Sequence, residues 1–253
     1  MPALSILHVS DVHFGVGDDT GEQPRITEAL VEAVRATGVV PTYCIFNGDL
    51  ANFGRREEFA QGERWLERLL PGEWNTKLLI VPGNHDIDRK GTRPALFRAV
   101  VREQKVYTDW TRAKNVNCDH LETFFGWHKE VSGRIAMAGD WNSPFGFLFQ
   151  DQSFPVPINI IGLNSALFCC GDDDEGNLVV DVKTLNAFLE AASQTPGAAG
   201  PRDLCAIESE AQDRRQHAGY LLFIDSFRRV GRHTLKRAHY REGSGRDPDS
   251  KRA

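Results

Sequence analysis

The chain has 253 residues and a net charge of −5, with 41% hydrophobic and 26% charged residues. That is ordinary globular usage, long enough for one large α/β domain or two small ones. The acidic balance argues against a general affinity for nucleic acid or anionic membranes, and no apolar run reaches the roughly 18–20 residues that span a bilayer.

The first apolar run, Leu4-Ser5-Ile6-Leu7-His8-Val9, reads as a strand that starts too early for a secretory signal to precede it. It ends in Ser10-Asp11-Val12-His13. A polar loop from Gly15 to Pro24 follows, then Ile26, Ala29, Leu30, Ala33 and Val34 at helical spacing, with Gly38 as the stop. Tyr43-Cys44-Ile45-Phe46 predicts a second strand, ending in Asn47-Gly48-Asp49. A second helix is predicted from Glu57 to Leu70, weakened by Gly62 by about 1 kcal/mol relative to alanine and stopped by Pro71-Gly72. Lys77-Leu78-Leu79-Ile80-Val81 is the third strand and ends in Pro82-Gly83-Asn84-His85-Asp86. Right-handed crossovers make this β-α-β-α-β order a parallel sheet.

From Asp88 to about Gly133 the pattern is helical and aromatic-rich, and reads as an insertion covering the edge of a site; its His120 and His128 read as packed or surface histidines. Short strands are predicted at Arg134–Ala138, Gly146–Phe149, Ile158–Leu163 and Leu178–Val180, followed by a helix capped by Asp181 that carries Leu185, Phe188 and Leu189. The acidic run Asp172-Asp173-Asp174-Glu175-Gly176 lacks the alternate spacing and distal Glu of a calcium loop and reads as a solvated turn. Five cysteines without a framework spacing suggest a reducing compartment, here the cytoplasm. After about residue 195 the composition changes: positions 201–253 hold 12 Lys+Arg against 8 Asp+Glu, with poor periodicity except at Tyr220–Ile224. That segment reads as an atypical basic tail, distinct from a domain over 1–195.

Three strand ends thus carry Asp11 and His13, Asp49, and Asn84-His85-Asp86, at intervals of 38 and 35 residues from Asp11 to Asp49 to Asn84. Ligands in open α/β sheets bind beyond the carboxyl ends of the strands. Asp11 and His13 stand two apart, so on an extended chain both side chains leave one face. Carboxylate, imidazole and amide oxygen together suit divalent Mn, Fe or Zn. Asp49 has two oxygens for two ions, and Asn84 adds a neutral ligand. Two ions about 3.5–4 Å apart can clamp a phosphate and activate water. His85 is the candidate proton donor to the leaving alcohol, with Asp86 placed to orient it.

These motifs, in this order, resemble the calcineurin-like metallophosphoesterases, whose pattern is Asp-x-His, Gly-Asp and Gly-Asn-His-Asp/Glu. The resemblance covers about residues 4–190. It implies a four-layer α/β/β/α sandwich with two central mixed sheets and a dinuclear centre. By position, Asp11 and His13 would hold the first metal, Asp49 would bridge, Asn84 would hold the second, His85 would be catalytic and Asp86 its partner. The implied activity is metal-dependent hydrolysis of a small phosphate ester such as a nucleotide, most of all of a phosphodiester, cyclic nucleotides among them. The family pattern continues with a lone histidine and then Gly-His-x-His. This chain has no Gly-His-x-His; past His128 its histidines are His217, His233 and His239. The sequence leaves two explanations open: truncation or a frame change after about residue 195, which would leave the C-terminal part of the fold incomplete and a sheet edge unpaired, or a natural variant with a different metal site. It also leaves two other functions: a catalytically impaired scaffold presenting aromatics around Phe124, Phe125 and Trp127, or a nuclease, which the acidic balance disfavours.

Overall fold

Tyr43, Cys44, Ile45 and Phe46 are all fully buried, as are Leu78 through Val81. Strands covered on both faces lose the polar–apolar alternation of a half-solvated sheet, which is why these runs are continuously apolar. The computed structural model describes residues 4–15, 22–91, 119–132, 134–141, 143–155, 157–170 and 180–194, and the backbone alone of 204–208 and 220–224.

β1 (Ile6–Val9), β2 (Tyr43–Asn47) and β3 (Lys77–Val81) form a sheet in the order β1-β2-β3, parallel throughout. The register pairs Val9 with Phe46 and Asn47 with Val81, so the three carboxyl ends finish side by side. Of the two sheets expected to be mixed, this one is parallel among the described strands. The second sheet runs β4-β5-β7-β6 and is mixed: β4 (Gly146–Asp151) is antiparallel to β5 (Ile158–Leu163), which is parallel to β7 (Tyr220–Ile224), itself parallel to β6 (Leu204–Glu208). The basic tail therefore contributes two strands, and β7 pairs with one edge of β5.

The two faces of β2 and β3 go to different cores. Cys44, Phe46, Leu78 and Ile80 pack with Val31 of α1 (Glu22–Ala36), with Phe59, Leu66 and Leu69 of α2 (Arg56–Leu69), and with Phe124 and Val131 of α3 (Glu122–Val131). Tyr43, Ile45, Leu79 and Val81 pack with Phe147 and Ile160 of the second sheet. On that sheet's other face, Ile161 and Leu163 meet Leu185, Phe188 and Leu189 of α4 (Val182–Ser193). The period-2 geometry of a strand makes this division automatic.

Local signals act where expected. Gly38 takes φ +66 past the end of α1 and donates to the Arg35 carbonyl at 3.1 Å. Asp181 caps α4, its Oδ2 accepting from the Thr184 N–H at 3.0 Å and hydroxyl at 2.6 Å. Gly62 has a packing reason: a Cβ there would lie 2.7 Å from Leu50 Cγ, so its absence lets α2 settle on the residue after Asp49.

The predicted strand Arg134–Ala138 is not one. Met137 forms a single bridge with Leu78, flanked by Leu78 N–H to the Ala136 carbonyl at 2.8 Å and Ala138 N–H to the Leu78 carbonyl at 2.7 Å. The Val131–Ile135 turn that closes α3 leaves too little extended chain for a strand. Leu178–Val179, the acidic run and positions 92–118 of the insertion lie outside the described residues.

Candidate metal centre

The first sheet keeps pairing past its strand ends. The Asp11 N–H donates to the Gly48 carbonyl at 3.2 Å, His13 N–H to the Asp49 carbonyl at 2.9 Å, and Phe14 N–H to the Leu50 carbonyl at 2.8 Å. To keep this contact the chain folds tightly: Asp11 (φ +59), His13 (φ +54) and Asp49 (φ +58) are all left-handed, as is Gly48 (φ +82). Three of the four non-glycine residues with positive φ among the described residues fall here. Such conformations each cost of order 1 kcal/mol or more and collect at functional sites. The extended-chain expectation for Asp11 and His13 is corrected accordingly: β1 stops at Val9, and both side chains leave from a kinked loop.

His13, Asp49 and His85 converge, with one ligand atom from each within 4.8 Å of the others. His13 Nε2 stands 3.8 Å from Asp49 Oδ2, and the two imidazoles meet edge to face with centroids 4.6 Å apart. Asp11 is exposed and outside this group of three, but near enough for its charge to act on Asp49. Asn84 lies half-buried beside His85. Asp49 is buried, and that burial pushes its carboxyl up from the usual range; the His85 N–H and the two imidazoles pull it down, and Asp11 adds to the rise. A buried carboxylate facing two imidazoles, with His13 Nδ1 buried and unpartnered, is a donor set that fits a divalent cation.

Asp86 makes backbone contacts that the sequence did not suggest. Its Oδ2 accepts from the backbone N–H groups of Asp49 at 2.8 Å and Gly83 at 2.9 Å, and its Oδ1 from that of Ala51 at 2.7 Å. Fully buried, it ties the loop after β2 to the loop after β3. Burial first, then the Asp49 charge, pushes its carboxyl up to about 7 against the pull of the Gly83, Ala51 and Leu50 N–H groups. The physical reason for the difference is direction: residues 83–86 form a turn, closed by Asp86 N–H to the Gly83 carbonyl at 3.1 Å, which points the carboxylate inward.

One partner of the His85 ring is a backbone carbonyl, which side-chain reasoning could not find. His85 Nδ1 lies 2.9 Å from the Asn52 oxygen, and the His85 N–H donates to Asp49 Oδ1 at 2.8 Å. Glu58, also unremarked in the sequence, is buried, and its Oε2 accepts from the N–H groups of Phe53 at 2.9 Å and Arg55 at 3.0 Å. The signal was present as a capping glutamate three residues into α2.

His120 and His128 are packed histidines. His120 is buried with Nε2 2.9 Å from the Leu167 carbonyl, and burial lowers its pKa. His128 lies against Phe124 and Trp141, and burial pushes it down to about 4. Within the insertion the Asp88 N–H donates to the His120 carbonyl at 2.7 Å, which joins its two ends. Phe124 and Trp127 are core residues, not the exposed aromatics an interaction scaffold would present.

No curated protein matches the chain. A family model described as calcineurin-like phosphoesterase matches residues 4–190. With that match spanning all three strand-end motifs and most of the chain, the protein belongs to the calcineurin-like phosphoesterase family.

Proposed function

We propose that the protein is a phosphodiesterase with two divalent ions, built on a four-layer sandwich of helices, two sheets and a helix. Asp11 and His13 would hold one ion, Asp49 would bridge, and Asn84 would hold the other. Such ions supply charge neutralisation for phosphoryl oxygens and a nucleophile at neutral pH. The observation that carries the reading is the convergence of His13, Asp49 and His85 beyond three parallel strand ends, in a family of phosphoesterases.

The chain's own residues then have definite tasks. Asn52 accepts from His85 Nδ1, which makes Nε2 the nitrogen that exchanges a proton with the leaving alcohol. The His85 N–H fixes Asp49 Oδ1 and so sets the direction of Oδ2. Asp86 holds both loops in register. The substrate is a small phosphate diester, with cyclic nucleotides within that class.

The test is Mn-dependent hydrolysis of bis-p-nitrophenyl phosphate, joined to calorimetric titration with Mn. Two binding events and loss of turnover in Asp49→Asn support the reading. Equal turnover by the variant removes Asp49 from the centre, and absence of metal binding favours a non-catalytic scaffold, the reading motivated by the lack of Gly-His-x-His.

A further inference from the structure

Phe53 is an exposed aromatic ring on a loop that cannot move independently of His85. Its side of the loop is fixed three times. The preceding carbonyl, Asn52, lies 2.9 Å from His85 Nδ1. Its own N–H donates to the buried Glu58 at 2.9 Å. The following residue, Gly54, sits at φ +63 directly against the backbone of Ile87, two residues past His85, where a Cβ would collide. Despite this immobilised backbone the ring is 41% exposed. The guanidinium of Arg55 lies over it, 4.7 Å from the centroid.

The tether sets the distance. A Cα lies about 3 Å from the preceding carbonyl oxygen, so that of Phe53 is within about 6 Å of the His85 ring, and the benzyl centroid only about 4 Å farther. A nucleoside is long enough to reach across a gap of that size from a phosphate near His85. A single exposed phenylalanine is by itself unremarkable. One that is backbone-locked beside the candidate proton donor and backed by an arginine is a preorganised stacking surface.

We propose that Phe53, backed by Arg55, is the platform on which an aromatic group of the substrate stacks, so that the site prefers nucleoside-bearing phosphodiesters over aliphatic ones. This rests on the phosphodiesterase reading. Phe53 acts on binding, as a specificity residue; it takes no part in proton transfer.

The test uses the full chain with Mn and two diesters sharing one leaving group: the p-nitrophenyl ester of thymidine monophosphate, and methyl p-nitrophenyl phosphate. The readout is the ratio of their kcat/KM values. The wild type should favour the nucleoside, and Phe53→Ala should lower that preference at least about fivefold, which corresponds to ~1 kcal/mol and the lower end of base–aromatic stacking. Phe53→Trp should retain it. An unchanged ratio in Phe53→Ala, or an equal fall in Phe53→Trp, overturns the platform while leaving the hydrolase standing. If the wild type cleaves neither diester, the phosphodiesterase reading falls instead. The platform is then decided by binding of thymidine monophosphate with Mn, where equal affinity of wild type and Phe53→Ala rejects it and a fivefold loss upholds it.

Discussion

Asp86 Oδ2 accepts a hydrogen bond from the Asp49 backbone N–H at 2.8 Å, so one buried carboxylate sets the position of another. Its oxygens also accept from the N–H groups of Ala51 and Gly83. In Asp86→Asn the amide NH2 must face at least one of them, leaving a buried donor unpaired at about 1–3 kcal/mol. The melting temperature should fall by roughly 3–10 °C, and Mn-dependent turnover with it. A variant that melts with the wild type would show that this carboxylate does not hold the loops.

His85→Ala should reduce kcat by about 10²–10⁴, the usual contribution of a positioned acid or base. The loss should be larger for a diester with an alkyl leaving group than for one releasing p-nitrophenolate, which departs without a proton. Steady-state kinetics on the two substrates decide it, since equal losses would assign His85 a role in binding and not in proton transfer.

His128 predicts the acid limb of stability. Its folded pKa of about 4 is below the ordinary 6.5 because burial disfavours the charged ring, and its Nε2 has no hydrogen-bond partner. The unfolded chain therefore binds a proton that the folded one refuses. The contribution is fully present above pH 6.5 and is lost as pH falls from 6.5 towards 4. Of the charged groups around it, Asp140 opposes the shift. His128→Phe should flatten this part of the stability–pH curve, measured by urea denaturation at several pH values; an unaltered slope would count against the assignment.

At the opposite end of the strands, Asp151 Oδ2 accepts from both the Tyr43 hydroxyl and Lys77 Nζ, each at 2.6 Å. Burial raises the Asp151 pKa, but Lys77, Ser153 and Tyr43 outweigh it and hold the carboxyl well below its usual range. Asp151→Ala leaves the fully buried Tyr43 hydroxyl without its acceptor and should cost roughly 1–3 kcal/mol. Its stabilisation is present above about pH 4, the unfolded value, and disappears as pH drops through the depressed folded pKa. Because the cluster joins the two sheets away from His13, Mn affinity should be retained. Calorimetry showing that affinity lost along with stability would contradict the separation.

Gly62→Ala sets helix propensity against packing. The exchange favours α2 by about 1 kcal/mol, yet the new methyl would meet Leu50 Cγ at 2.7 Å, and overpacking costs about 1–3 kcal/mol. The net effect should be destabilising and transmitted to Asp49, the neighbour of Leu50. A gain in melting temperature would show that Leu50 yields freely.

Much of this molecule is written in local pattern. Continuous apolar runs gave β1 to β3, Gly38 and Asp181 marked helix ends, and the order of the strand-end motifs identified the family before any contact was known. Arg134–Ala138 misled because an apolar run of that length is equally consistent with a turn and a single bridge. Tail periodicity was too weak to reveal β6, whose place depends on pairing with a strand twelve or more residues away.

The identity of the candidate site residues was thus a property of the sequence, since strand ends follow from patterning and the residues at those ends follow from reading. Their relations were not. That Asp86 accepts from backbone N–H groups of two loops, and that the Asn52 carbonyl lies against His85 Nδ1, depends on the turn at 83–86 and the left-handed loops at Asp11, His13 and Asp49. Side-chain direction in such loops is set by φ and ψ and by non-local hydrogen bonds, which have no period for a sequence to display.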